Sequence, residues 1–358
     1  MAGLDPATQG HTLQRRHWVA GSRFACPAMT SFFERLDLAW YDCAMEVPYA
    51  LTLPRLHELA APLYIALLLG EYALAGRGAI KGRFRREDTH TSLIMGIGSV
   101  VVPMLLATLG AGAVLWAYEN RVATVGFAWW AFVLCFILDD LRFYWSHRIQ
   151  HRSRWFWAAH VVHHSSEYYN FSTALRQPWT GTITGLVLLA VPLAWIGFHP
   201  ALIAFCASLN LFYQFFLHTE SVGRLHPWIE AVFNTPSHHR VHHARNPRYL
   251  DANYAGTLII WDRIFGTFVP ELDRDKPVFG LVKNVETFNP FTVALGEYWG
   301  IARDAAGSGR SSFDRVRYIF APPGWCHDNS RKDSHAIKAD FLREHPEEAG
   351  TEGLPASG

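Results

Sequence analysis

Five stretches of the chain run on in apolar residues with few charges, at 56–75, 91–118, 122–138, 180–197 and 201–217. The second is nearly free of charge and longer than the about 20 residues an apolar helix needs to cross a bilayer. The first is interrupted by His57, Glu58 and Glu71. A run as long and apolar as the second argues against buried helices of a soluble protein. The pattern predicts an all-α integral membrane protein, a bundle of about four to five transmembrane helices. Ahead of them, 1–48 is polar and mixed and lacks the basic, apolar and small-residue succession of a secretory signal. Its segment SFFERLDLAWYDCAMEV, 31–47, fits an amphipathic helix at the membrane interface as well as a plain surface helix.

The polar segments between the apolar runs set the orientation. The loop RGAIKGRFRRED, 77–88, carries Arg77, Lys81, Arg83, Arg85 and Arg86, which places it in the cytoplasm. Alternating crossings then return the chain to that side after the third run, and again after the hairpin through Phe198, His199 and Pro200. Both returns deliver histidines. His147 and His151 form an H-x3-H pair, His160, His163 and His164 an H-x2-HH triplet, and His239, His242 and His243 a second triplet of the same spacing.

Residues three and four apart share one helix face, so each box can present its imidazoles together if the segments are helical. Neutral imidazole is the commonest protein metal ligand and suits iron, zinc, copper or nickel. Eight histidines exceed one tetrahedral site and suit two metals sharing a cluster. Surface histidines are the alternative for a single pair, and the repeated spacing argues against it for the set. His238 falls outside the spacing. His11, His17, His57, His90, His199, His226, His327, His335 and His345 match no box.

Composition narrows the chemistry. A formal net charge of +1 over 358 residues excludes a nucleic-acid binder driven by phosphate neutralisation. The 14 Trp and 24 Phe fit rings anchoring helices at a membrane interface. Cys26, Cys43, Cys135, Cys206 and Cys326 are scattered and make neither a disulfide framework nor a zinc knuckle. No flavin or nucleotide fingerprint and no haem-binding Cys pair is present, so reducing electrons would come from outside the chain. The organisation expected is a polar or interfacial segment at 1–48, transmembrane helices at 49–138, and a catalytic region with a transmembrane hairpin at 139–270. A cytoplasmic extension at 271–332 and a disordered tail at 333–358 follow. GSGRSS, 307–312, reads as a flexible loop.

With HHSSEYYNFSTALRQ (163–177), YQFFLHTE (213–220) and TPSHHRVHHARNPRYLDANYAGTLIIWDRIFGTF (235–268), the boxes resemble the fatty acid hydroxylase and sterol desaturase superfamily of membrane di-iron oxygenases. The likeness runs over about 50–330 and is strongest to the branch that cleaves alkylglycerols. It implies two iron ions held by His147, His151, His160, His163, His164, His239, His242 and His243, with His218 of the LHTE motif as a ninth ligand. It further implies hydroxylation of a lipid C–H bond with O2, here beside an ether oxygen, so that the product splits into an aldehyde and a glycerol. The donor in that branch is tetrahydrobiopterin, and among sterol relatives a reductase with a small cytochrome. A preparation holding zinc would not exclude iron, because imidazole clusters bind both.

A ligating imidazole usually gives its second N–H to a carboxylate or carbonyl. Asp139 and Asp140, at the end of the third apolar run, are the first such candidates, since an unpaired carboxylate there is costly. Glu167, Asn170, Arg176, Gln177, Glu220, Asp251 and Asn253 lie in the family-like motifs. Of these, Asp140, Glu167, Asn170 and Glu220 are the catalytic candidates; the alternative for each is a helix cap or structural ion pair. The competing functions are a sterol desaturase or a fatty-acid or carotenoid hydroxylase of the same superfamily and, in a different class, a zinc-binding membrane protein without redox chemistry.

Overall fold

Helices and short 3-10 turns make up the regular structure among the described residues, and pairing between extended segments is confined to two isolated bridges. A computed structural model describes residues 56–106, 108–348 and 350, all within one unit covering 47–358. The interfacial helix expected at 31–47 lies outside the described residues.

In chain order the helices are α1 (Leu56–Leu59), α2 (Ala61–Gly76), α3 (Arg86–Leu106), α4 (Thr108–Glu119), α5 (Trp129–Arg152), α6 (Arg154–His164), α7 (Phe171–Ala174) and α8 (Val191–Ile196). They continue with α9 (Pro200–Phe215), α10 (Pro227–Val232), α11 (Pro236–His242), α12 (Ile260–Ile264), α13 (Pro290–Ala306), α14 (Ser312–Phe320) and α15 (Ser334–Glu344). The apolar runs thus fall largely in helical structure, though 122–128 is not helical, and no helix among the described residues is long and apolar enough to cross a membrane. The physical reasons differ from run to run. Helix α5 has 24 residues, yet from its middle onward it carries Asp139, Asp140, Arg142 and Arg148. Helix α3 opens on the polar sequence REDTHTS. The fourth run is not one helix, because Gly185, at φ 85°, joins two 3-10 turns, Gly181–Thr184 and Leu186–Ala190, ahead of α8.

Small residues let the helices under the site approach closely. Ala117 of α4, Ala131 and Cys135 of α5, Ala194 of α8 and Leu202 of α9 form one buried cluster. Helix α5 packs on α9 and α6, and α6 also packs on α13 and α14. Between α5 and α6 only Ser153 leaves the helical region, at φ −137° and ψ 128°, so the two box-bearing helices turn sharply on one another. Arg154 fixes that corner. Although buried, its guanidinium meets Glu297 at 2.6 Å and Asp304 at 2.8 Å, both on α13.

At the C-terminal end the charged composition predicts disorder from 333, whereas Ser334–Glu344 is helical. Asp333 caps its first turn by accepting from Ala336 N at 2.8 Å, and Ser334 Oγ donates to Asp251 in the loop beyond the last box. Residues 349 and 351–358 lie outside the description. The GSGRSS segment links α13 to α14, with Ser311 as the α14 N-cap.

Beneath the boxes, Gly256 is wedged between α5 and α9. A Cβ there would overlap Asn210 Oδ1 and sit 2.9 Å from Asp140 Oδ1, whereas one at Gly223 meets nothing within 4 Å. Gly256→Ala is therefore expected to cost about 1–3 kcal/mol through overpacking. Thermal unfolding should show a clearly lowered midpoint for it and an unchanged one for Gly223→Ala.

Candidate metal centre

Four segments bring the histidines together. The last turns of α5 present His147 and His151 one turn apart, and the end of α6 presents His160, His163 and His164. The turn closing α9 supplies His218, and α11 with its C-cap supplies His239, His242 and His243. Helix α11 has only 7 residues and is tied down from outside. Pro236 opens it, Asn234 N donates to Thr257 O at 2.7 Å, and Asn234 Nδ2 donates to Ala255 O at 2.7 Å.

The nine histidines form two groups, in each of which the ligand atoms lie within 4.8 Å of one another. His147, His151, His160, His164 and His242 make the first, and His163, His218, His239 and His243 the second. All are buried except His160, which is half-buried. Spacing alone suggests that each triplet points three rings at one region, and the structure divides them differently. Residues four apart stay together, while the middle histidine of each triplet, His163 or His242, joins the pair from the other triplet. The triplets interdigitate, and His164 stacks on His243 with ring centroids 4.3 Å apart.

Backbone carbonyls set the tautomers. Nδ1 of His147 lies 2.8 Å from Tyr254 O, that of His242 2.9 Å from Ala252 O, that of His218 2.9 Å from Gln214 O and that of His163 3.3 Å from Arg176 O. A carbonyl only accepts, so each of these Nδ1 atoms carries the hydrogen and each Nε2 of the neutral ring carries a lone pair. His163 Nε2 and His218 Nε2 nevertheless face each other at 3.1 Å. Further Nε2–Nε2 contacts join His239 to His218 at 3.1 Å, His147 to His160 at 2.8 Å and His164 to His160 at 3.1 Å, and in these the tautomer of His239, His160 or His164 sets which ring donates. Nε2 of His151, His242 and His243 is buried without a hydrogen-bond partner among the described residues.

Facing lone pairs and orphaned acceptors are both costly in a buried site. A cation shared by each group removes both costs, and nitrogens about 2.1 Å from one metal stand about 3.0–3.4 Å apart. The residues present therefore fit a metal in each group. Burial, then repulsion among neighbouring imidazoles, holds His147, His160, His164, His239, His242 and His243 well below the ordinary histidine range, and burial brings His163 to about 4. At neutral pH these rings are ready to bind a cation without first losing a proton.

The carboxylates hold the scaffold around the histidines. Asp140 accepts from Thr257 N at 2.8 Å, Leu258 N at 3.0 Å, Asn210 Nδ2 at 2.7 Å and Trp261 Nε1 at 2.9 Å. Asp262, which sequence reasoning passed over, accepts from Tyr254 N and Ala255 N, both at 2.8 Å, and from Thr267 Oγ1 at 2.6 Å. Together they hold the loop whose Ala252 and Tyr254 carbonyls orient His242 and His147. Asp251 stands 3.5 Å from His151 Nδ1; burial opposes its charge, but His151, Ser334 and Arg152 keep its carboxyl below the usual range.

The other candidates lie outside the two groups. Asp139 pairs with Arg142 at 2.7 Å. Asn170 caps α7 and donates to Arg83 O, Gln177 donates to Ala174 O, and Asn253 donates to His238 O and Val269 O. Glu167 is exposed beside a cavity of about 220 Å³, and burial raises the carboxyl of Glu220 against the pull of Arg83 and Arg240. Arg176 forms a buried ion pair with Asp88 at 3.1 Å. Glu71, an interruption in the first apolar run, is buried and accepts from Phe171 N at 2.8 Å and from the hydroxyl of Thr219, the residue after His218.

Comparison with known proteins agrees with the motifs. Residues 132–267 match the fatty acid hydroxylase family. The chain is 38% identical over 278 residues to the alkylglycerol monooxygenase of Danio rerio, covering 76% of this chain and 60% of that protein. With the alkylglycerol monooxygenase of Homo sapiens it is 37% identical over 269 residues, covering 74% and 59%. A Delta(7)-sterol 5(6)-desaturase of Gibberella zeae is 25% identical over 204 residues, covering 49% and 54%. The chain thus spans about six-tenths of the length of the alkylglycerol monooxygenases it matches. No solved structure matches.

The buried imidazoles make the metal-free protein acid-sensitive. A ring whose folded pKa lies below its unfolded value of about 6.5 binds fewer protons folded than unfolded. The stability it contributes is whole above about pH 6.5 and is lost as pH falls toward the folded value, about 4 for His163. Denaturant midpoints of chelator-treated protein are expected to fall steeply from about pH 7 to about pH 5. A flat profile would contradict the buried neutral state.

Proposed function

Residues 132–267 belong to the fatty acid hydroxylase family, and on that premise we propose that the chain is a membrane-associated lipid monooxygenase using an iron ion in each histidine group. The observation that carries the reading is the pair of imidazole groups with their Nε2 atoms gathered at close range, the lone pairs of His163 and His218 facing each other in one and His147 Nε2 2.8 Å from His160 Nε2 in the other. Iron, when bound there, supplies the capacity to activate dioxygen and oxidise an unactivated C–H bond.

The protein's part is to bind, orient and insulate. Neutral imidazole ligands leave the cations their full charge, and the carbonyls of Tyr254, Ala252, Gln214 and Arg176 keep four rings in the ligating tautomer. Asp140 and Asp262 fix the loop bearing two of those carbonyls, so they act as positioning residues. Glu220 and Glu167, near the second group in sequence, remain candidates for contact with substrate. Burial of the rings keeps bulk water from the ligand atoms.

Similarity to the alkylglycerol monooxygenases supports an ether lipid as substrate. Insertion of one oxygen atom at the carbon beside the ether oxygen gives a hemiacetal, which splits to a fatty aldehyde and glycerol. The second oxygen atom leaves as water, and two electrons and two protons come from an external donor, for which tetrahydrobiopterin is the choice. Exposed apolar side chains such as Ile65, Leu69, Ile97 and Val133 support association with a bilayer, and the basic loop 77–88 supports a cytoplasmic position for the boxes. The sterol-desaturase relative keeps a second reading open, in which the same groups act on a sterol or acyl chain with a reductase and small cytochrome as donor.

Anaerobic iron loading, followed by oxygen uptake and product analysis with 1-O-alkylglycerol and tetrahydrobiopterin, tests the reading. Fatty aldehyde is expected from the parent and only background from His163→Ala. Asp262→Asn is expected to lose about 10–100-fold in activity or metal affinity, as outer-shell partners do. Oxygen uptake with sterols but not with alkylglycerol would transfer the reaction to the second reading. Retention of zinc with no oxygen chemistry after iron loading would favour a non-redox zinc protein.

A further inference from the structure

Beyond the histidine groups, α13 and α14 present apolar faces that nothing in the proposed chemistry uses. Phe291, Leu295 and Trp299 of α13 are 65%, 47% and 72% exposed, and Phe313, Val316 and Phe320 of α14 are 70%, 54% and 54% exposed. Their spacings place each trio on one helix face. The opposite faces are already occupied. Val293, Ala294 and Ile301 of α13 and Tyr318 of α14 are buried, and α13 packs on α6, α14 and α3.

The charges beside these faces are mostly positive. Of the three acids of the hairpin, Glu297 is paired with Arg154 and Asp304 with Arg154 and Arg331, while Asp314 stays at the surface in the Ser311 cap. Arg303, Arg310, Arg315 and Arg317 form no ion pair among the described residues, and Arg303 and Arg317 are exposed. Large apolar residues on one face with arginines beside them are the signature of a helix lying in a lipid interface, and tryptophan concentrates at that depth. A second copy is disfavoured as the occupant, because a two-fold contact would set the arginines of one chain against those of the other. The apolar surface also continues onto α3, whose Ile94 and Ile97 are 45% and 68% exposed.

We propose that the helical hairpin 290–320 is a membrane-surface anchor, with its two apolar stripes in the acyl boundary of an anionic leaflet and Arg303 and Arg317 at the phosphates. The region reads from sequence as a plain cytoplasmic extension. The anchor would also position the site, because Arg154, the first residue of the helix bearing His160, His163 and His164, is bolted to α13 by two ion pairs. Hairpin depth then sets how far the histidine groups stand from the bilayer.

The test uses the full chain in phosphatidylcholine vesicles with and without a third of phosphatidylglycerol. A nitroxide is attached through a genetically encoded keto amino acid at residue 295 or 316, with exposed residue 274 as the reference position. Oxygen is expected to collide with the label more often than a water-soluble nickel chelate at 295 and 316, and less often at 274. The ratio should rise with phosphatidylglycerol and fall several-fold in an Arg303→Glu, Arg317→Glu variant. Nickel access at 295 and 316 equal to that at 274 would overturn the anchor. Exclusion of both reagents would overturn it in favour of a protein covering the face, and equal ratios in the two membranes would overturn the anionic match. The same ratios are expected in His163→Ala protein, so failure here is distinguishable from failure of the metal reading.

Discussion

Nine imidazoles are gathered together with their ring nitrogens turned toward one another, and the rest of the fold is arranged to hold them so. In an apolar protein core such an arrangement is unfavourable by itself, since facing lone pairs repel and unpartnered acceptors lose their water. Protonation would relieve the repulsion at one ring only by burying a charge, which desolvation opposes. A cation in each group satisfies several nitrogens at once and needs no proton to leave first. Metal binding at these groups would therefore be coupled to folding.

The scaffold solves a problem of direction. An imidazole ligates usefully only in the correct tautomer and orientation, and here backbone carbonyls make that choice at four rings. Gln214 lies in the last turn of α9, but the carbonyls of Arg176, Ala252 and Tyr254 belong to loops, which are the more mobile parts of most folds. Buried carboxylates stiffen them. Asp140 and Asp262 between them receive four backbone N–H groups of the loop beyond the last box, and Glu71 receives Phe171 N and the Thr219 hydroxyl beside His218. The pattern is a set of imidazoles oriented by carbonyls, with the segments around them held in turn by acids reaching in from α2, α5 and α12.

How much of this is legible in the sequence follows from which contacts are local. The boxes are visible because ligands four residues apart share a helix face, so His147 with His151, His160 with His164 and His239 with His243 announce themselves by spacing. The exchange of His163 and His242 between groups is not visible, since it depends on how α6 meets α11. Asp262 and Glu71 escape notice for a related reason. Each resembles a blemish in an apolar run until its partners, distant in sequence for Glu71, are brought to it. Apolar runs likewise overstate helix length, because a running average does not register the left-handed turn at Gly185 or the polar second half of α5. The tail around Ser334 reads as disordered because its docking contact, Asp251, lies in a distant part of the chain.

The central claim, two separate ions held by two interdigitated groups, is tested most directly by counting metal. The protein is loaded with iron(II) under anaerobic conditions, freed of excess, and assayed for iron per chain by mass spectrometry. The paired variants His147→Ala with His151→Ala, and His239→Ala with His243→Ala, are assayed alongside. The account expects two ions in the parent and one in each variant. A single ion in the parent, or an unchanged count in either variant, would contradict it.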